Sequence, residues 1–282
     1  MLKQRIITAV LIVVALLAAL AYLSLPILSA VFALVVLLAA WEWADLSGFS
    51  AKGSRFTYVV VCALLMIGAA WTTNLFSGVD QLEVQEIVIA ASLWWSIALL
   101  WVKSYPLSAG LWGSRWMRAL MGLLVLVPAW LAICYLRSLS GGVWLIVLVI
   151  ALVASADIGA YFVGRAYGKA KLAPAVSPGK SWAGFWGGLA SSSLLAALLW
   201  VSFAKLLPGA IPIALLPLLC MVIVTVLASV LGDLLESMVK RHRGIKDSGH
   251  LLPGHGGIMD RIDSITAAAP VFALGLMATG WV

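Results

Sequence analysis

Nine apolar runs of about 18 residues follow one another along almost the whole 282-residue chain, each long enough to cross the ~30 Å of hydrocarbon in a bilayer. In lipid a chain must satisfy its own backbone polar groups, and uninterrupted runs of this length do so as helices. They cover about 6–23, 27–46, 57–74, 87–103, 119–137, 143–163, 182–204, 211–232 and 260–281. The expected fold is therefore all-α: a polytopic integral membrane protein of about nine transmembrane helices, with a polar cavity facing the cytoplasm. Residues 1–140 read as a scaffold of N-terminal helices, and 141–282 as C-terminal helices and loops carrying the site. Lys3 and Arg5 before the first run resemble the start of a signal peptide. That run is longer than a signal core, however, and the second begins after only Ser24-Leu25-Pro26, so an uncleaved first span is expected.

With 64% apolar and 10% charged residues, the chain lies far from a soluble domain. Its net charge of +7 does not signal nucleic acid, because the basic residues sit in short loops between spans, as the positive-inside rule requires. With the N-terminus inside, only Arg137 and Lys205 of the 18 lysines and arginines fall on the far side, with the acidic loop of Asp80, Glu83 and Glu86. Cys62, Cys134 and Cys220 each lie alone in an apolar run, which supports neither a disulfide framework nor a thiolate metal site. Residues 104–118 are basic, with Trp112 and Trp116 suited to the membrane interface. Residues 164–181 and 233–259 are rich in Gly, Pro, Lys, His and Asp, and chemistry is expected where they meet the membrane.

The chain has only eleven acids, so their placement is informative. Asp157, Asp233, Glu236, Asp260 and Asp263 lie within, or within a turn of, an apolar run, where an uncompensated acid costs roughly 2.5–3.5 kcal/mol. In the stretch 230–241, Asp233, Glu236, Ser237 and Lys240 fall at i, i+3, i+4 and i+7, which is one helical face. Asp260 and Asp263 share another. If the two faces meet, several carboxylates and a hydroxyl converge, an oxygen-only set suited to a hard cation such as Mg²⁺. Buried ion pairs with Lys240, Arg241 and Arg261 are the plainer alternative.

Between these faces, residues 240–257 alternate strong bases with glycines. Gly254, Gly256 and Gly257 can turn backbone N–H groups towards an anion just before a helix begins. Lys240, Arg241 and Lys246 add charge for a triphosphate. The segment 176–184, with Ser177, Lys180 and Ser181, is a second basic element before an apolar helix, but it lacks the first glycine of a P-loop. His242, His250 and His255 have no zinc spacing.

The run Ser237-x-x-Lys240-Arg241-x-x-x-x-Lys246-Asp247-x-Gly249-x-x-x-Pro253-Gly254-His255-Gly256-Gly257-x-x-Asp260-Arg261-Ile262-Asp263 resembles the signature of phosphatidate cytidylyltransferases. The resemblance extends to Asp157-x-Gly159-Ala-Tyr161 and Ser177-Pro178-Gly179-Lys180-Ser181-Trp182, and covers roughly residue 140 to the end. The first 140 residues match mainly in hydropathy and in Trp41-Glu42-Trp43. Ile158 and Ala183 depart from the commoner pattern.

The resemblance implies CTP and phosphatidic acid as substrates, CDP-diacylglycerol and pyrophosphate as products, and dependence on Mg²⁺. It also implies, in some members, a second, monovalent cation such as K⁺, and usually a homodimer. A compact chain with no transit peptide leads us to expect a bacterial inner membrane. Asp233, Ser237, Asp260 and Asp263 are its metal positions, and Asp233, Asp260, Lys240 and Asp247 its catalytic ones. Substrate binding falls to Asp157, Ser177, Lys180, Ser181, Arg241, Lys246, His255, Gly256, Gly257 and Arg261. An ion transporter would place its acids near the bilayer midplane within repeated broken helices. A CTP-dependent lipid kinase would need a base for an un-ionised hydroxyl.

Overall fold

A computed structural model of the chain describes residues 2–206, 214–249, 251 and 256–281. Each expected span is matched by a helix: α1 Leu2–Tyr22, α2 Leu25–Ser47, α3 Lys52–Thr72, α4 Gln81–Lys103, a single turn α5 Ala109–Trp112, α6 Arg115–Ser138, α7 Gly142–Tyr167, α8 Trp182–Leu206, α9 Leu215–Arg243 and α10 Met259–Ala278. Among the described residues, α2, α3, α4, α6, α7, α8, α9 and α10 are long and apolar enough to cross a membrane. The protein is a polytopic α-helical membrane protein. Among the described residues, a small antiparallel hairpin lies between α7 and α8, formed by β1 Lys171–Ala173 and β2 Ser177–Ser181.

Local sequence sets the helix ends. Asp80 Oδ1 accepts the N–H groups of Leu82 and Glu83 at 3.0 and 3.3 Å, capping α4. Gly48 (φ 95°) and Gly244 (φ 71°) close α2 and α9 in the left-handed conformation that glycine reaches without a Cβ penalty.

Helix α6 runs through the middle of the bundle and packs on α2, α3, α7 and α10. Buried side chains form two clusters. One gathers Trp43, Met121, Leu235 and Met238 towards the end where the loops of α9 and α10 lie. The other gathers Tyr135, Val149, Val222 and Phe272 in the opposite half. Outward-facing leucines and isoleucines such as Leu64, Ile67, Leu93 and Leu100 are exposed, as befits a surface solvated by lipid tails.

Tails are as apolar as leucine, so helices associate in a bilayer by close packing and interhelical hydrogen bonds. Two pairs show this. Between α7 and α8, a Cβ on Gly184 or Gly188 would press on the carbonyls of Ala160 and Ala156. Beside them, the Ser191 and Ser192 hydroxyls donate to Ser155 O and Leu152 O at 2.7 Å. Between α9 and α10, Gly232 lies against the Asp263 carbonyl and the Ala267 methyl. Gly232→Val is therefore expected to lower stability by about 1–3 kcal/mol through overpacking, read as a fall in the thermal unfolding midpoint in detergent. Gly244→Ala meets no neighbouring atom, and its cost of about 1–2 kcal/mol comes instead from holding alanine at φ 71°.

Candidate active site

The acids that the sequence places at membrane depth gather at one end of the bundle. On α9, Ser237 Oγ donates to Asp233 Oδ1 at 3.3 Å and Lys240 Nζ bonds Glu236 Oε2 at 2.7 Å, so the four polar residues share a face. The Gly232 contact lets the first turns of α10 reach this face. There Lys240 Nζ also bonds Asp260 Oδ1 at 2.6 Å, forming a buried Glu236–Lys240–Asp260 triad. Two carboxylates thus share one ammonium in a poorly solvated place.

A second pair comes from the hairpin, where Lys180 Nζ lies 2.7 Å from Asp233 Oδ2 with both side chains about 30% exposed. The sequence does not reveal this partnership, since 53 positions separate the two residues. Asp157 on α7 and Asp263 on α10 each interact electrostatically with both Asp233 and Lys180. Three helices and the hairpin thus bring Asp157, Asp233, Glu236, Asp260 and Asp263 around two lysines. Asp157 is exposed, and Asp263 Oδ1 accepts the N–H of Ser264 at 2.7 Å.

The remaining sequence-predicted residues lie around this cluster. Ser181 Oγ accepts the Gly184 N–H at 3.2 Å at the start of α8, and Ser177 is half-buried at the other end of β2. Arg241 Nε donates to Val176 O at 3.3 Å, tying the end of α9 to the hairpin. Lys246, Asp247 and Arg261 are exposed. Gly256 (φ 82°) turns tightly against the Asp260 carboxylate, and Gly257 N–H donates to Asp260 Oδ2 at 2.8 Å. His255 lies outside the described residues, as do His250, Pro253 and Gly254.

Among the described residues, no three His, Cys, Asp or Glu side chains come together as a closed metal site. The donors still suit Mg²⁺, which keeps waters and takes one or two carboxylates plus substrate phosphates. Asp233 is partly open with a hydroxyl beside it, and Glu236 Oε1 is buried without a hydrogen-bond partner. An unmet acceptor of this kind is what an ion or its water would satisfy.

One residue of the N-terminal half enters the site. Glu42 of α2 is only 3% exposed. Its Oε1 accepts Ile258 N–H at 3.0 Å, and its Oε2 accepts Met259 N–H at 2.9 Å and the Ser248 hydroxyl at 2.9 Å. It caps α10 from another helix, where a carboxylate also meets the positive end of the helix dipole. Ser248 N–H in turn donates to Asp260, 3.0 Å from Oδ2. Gly249 and Gly257 are pressed against the Glu42 carboxylate, with no space for a Cβ. The only hint in the sequence is an acid between two tryptophans in an otherwise apolar helix. Glu42→Ala leaves three buried donors unmet and is expected to cost at least about 2 kcal/mol. Glu42→Gln, keeping one acceptor oxygen, should fall between the two in thermal unfolding.

Comparison with known proteins agrees with this layout. A phosphatidate cytidylyltransferase of Pseudomonas aeruginosa is 46% identical over 281 residues, covering 100% of this chain and 99% of the relative. One of Haemophilus influenzae is 39% identical over 97% of this chain and 98% of its own length. One of Mycobacterium bovis is 34% identical over 75% and 70%. Residues 3–278, which include every helix that contributes to the acid–lysine cluster, match the cytidylyltransferase family model, and the chain belongs to that family.

Proposed function

We propose that the chain is a phosphatidate cytidylyltransferase that joins CTP to phosphatidic acid at the cytoplasmic face of a bacterial inner membrane, giving CDP-diacylglycerol and pyrophosphate. One observation carries the reading: in a chain of this family, Lys180 and Lys240 each lie within 2.7 Å of carboxylates at one end of the bundle. The charge asymmetry of the loops supports placing that end in the cytoplasm.

The chemical problem is to bring two polyanions together. A phosphomonoester has its second pKa near 6, so the lipid phosphate is already ionised at neutral pH and no side chain need remove a proton. Its oxygen attacks the α-phosphorus of CTP. The bond from that phosphorus to the oxygen bridging to the β-phosphorus breaks, and pyrophosphate leaves with the electron pair. The work left to the protein is in-line placement and charge compensation.

Lys240 and Lys180, with Arg241, Lys246 and Arg261 around them, offset charge on the triphosphate and on departing pyrophosphate. Gly256 and Gly257 shape the turn towards the nucleotide, the family signature assigns His255 to nucleotide binding, and Ser177 and Ser181 offer hydroxyls from the hairpin side. Asp247 sits beside Lys246 at the nucleotide edge. Mg²⁺, held by Asp233 and Asp260 with Ser237 and Asp263 nearby, would supply the divalent charge that screens the two sets of phosphates. Asp157 would hold a second, monovalent cation such as K⁺ or orient Lys180, with which it interacts electrostatically. A polar recess open to the cytoplasm would admit CTP, residues 141–282 would supply most of the chemistry, residues 1–140 the scaffold, and the assembly is a homodimer.

Purified protein with labelled CTP, Mg²⁺ and phosphatidic acid should release pyrophosphate only when the lipid is present. CDP as the nucleotide product would point instead to a lipid kinase. Asp233→Asn and Asp260→Asn should each reduce turnover by at least roughly 100-fold while leaving the thermal unfolding midpoint within a few degrees of the parent. Near-normal turnover in either variant would remove that residue from the metal site. Chelation with EDTA should abolish activity, and added Mg²⁺ should restore it.

A further inference from the structure

Glu42 belongs to the N-terminal half, yet its carboxylate meets both ends of the loop that joins α9 to α10. On the α9 side it accepts the Ser248 hydroxyl at 2.9 Å and lies against Gly249. On the α10 side it accepts the N–H groups of Ile258 and Met259 at 3.0 and 2.9 Å and lies against Gly257. Neither glycine is in the left-handed region, so what each supplies here is close approach to the carboxylate.

Asp260 holds the same two loop ends from the other side. Its Oδ2 accepts Ser248 N–H at 3.0 Å and Gly257 N–H at 2.8 Å, while its Oδ1 takes Lys240 Nζ at 2.6 Å. Ser248 therefore stands between two carboxylates, its N–H on Asp260 and its hydroxyl on Glu42. The base from which Glu42 reaches is itself fixed. Trp43 is fully buried and donates to Arg118 O at 2.8 Å, and Arg118 Nη1 donates back to Leu46 O at 2.9 Å. These two bonds pin α2 to α6 just beyond Glu42.

We propose that Glu42 is a positioning residue for cytidylyl transfer: through Ser248 and the start of α10 it sets the orientation of the Asp260 carboxylate and the course of the loop beside it. The proposal rests on the cytidylyl-transfer reading and adds a residue of the N-terminal helices to it. Asp260 keeps both backbone donors only while the two loop ends stay in place, and a reacting group is only as well placed as the neighbours that hold it. Lys246 and Asp247 directly precede Ser248, so the same clasp sets where their exposed side chains stand. Charge matters as well as shape. Three donors point at Glu42, and a glutamine amide would turn its own NH₂ towards at least one of them.

Variants of the full-length protein test this, assayed well below their unfolding midpoints. Glu42→Gln and Gly249→Ala disturb the clasp from opposite sides. Trp130→Phe is the control: it removes another buried bond between α6 and α2, to Ser29 O at 3.0 Å, about 20 Å along α2 from Glu42. The first two should lose roughly 10- to 100-fold in kcat/KM for CTP, with KM rising more for CTP than for phosphatidic acid. Glu42→Asp, which keeps the charge but draws it back by one carbon, should recover part of that loss. Trp130→Phe should leave both constants at the parent's level whatever its thermal midpoint. Hydrogen exchange gives a reading independent of turnover: in Glu42→Gln the amides of Ser248, Gly257, Ile258 and Met259 should exchange faster, with those of α6 unchanged. Full activity in a folded Glu42→Gln, an equal loss in Trp130→Phe, or faster exchange spread over the whole bundle would each overturn the proposal and leave Glu42 a purely structural cap. Should Glu42→Gln fail to fold, Gly249→Ala decides the matter with the carboxylate still present. If the parent releases no pyrophosphate with phosphatidic acid, the cytidylyl-transfer reading itself fails, whereas the exchange data still show whether Glu42 holds the loop.

Discussion

Carboxylates at the edge of a hydrocarbon layer must be compensated, and the architecture of this protein follows from how that is done. Lys240 lies between Glu236 on its own helix and Asp260 on the next, 2.7 and 2.6 Å away. Two carboxylates thus share one ammonium, and Asp233, Asp263 and Asp157 lie close by around Lys180. Such a cluster is expensive for an inert bundle. It makes sense where cations and polyanions come and go, since every charge in it can then exchange partners.

Holding the cluster together falls to features that carry no charge. Gly232 lets α10 approach α9, and the glycine and serine seam between α7 and α8 brings Asp157 towards the hairpin. Both are consequences of lipid as solvent: helices gain little from burying apolar surface against one another, so close backbone approach and hydroxyl–carbonyl bonds take over. Glu42 shows the same logic in a polar setting. A buried carboxylate from α2 satisfies the first N–H groups of α10 and the Ser248 hydroxyl, while the Ser248 N–H reaches Asp260. The N-terminal helices are thereby coupled to the acid on which the proposed chemistry depends.

On the proposed reading, the site works by exchange of counter-charges rather than by proton abstraction. The nucleophile arrives ionised, and basic residues held close to carboxylates are poised to turn towards phosphate oxygens. The exposed Lys246, Asp247 and Arg261 face the side from which a soluble nucleotide comes.

Much of this was legible in the amino-acid order. Apolar run length alone determined the spans, because hydrocarbon thickness and helical rise leave little freedom, and all nine expected runs correspond to helices. The shared face of Asp233, Glu236, Ser237 and Lys240 followed from helical periodicity, and the loop signature around Asp260 marked the family. Tertiary structure alone decided which charges are partners. Lys180 meets Asp233 across 53 residues, and Glu42 reaches Met259 across 217. The hairpin that delivers Lys180 is too short to announce itself by alternation. Nothing local encodes those encounters: they depend on which helices pack side by side, and that is set by glycine and serine contacts whose partners lie far away in the chain.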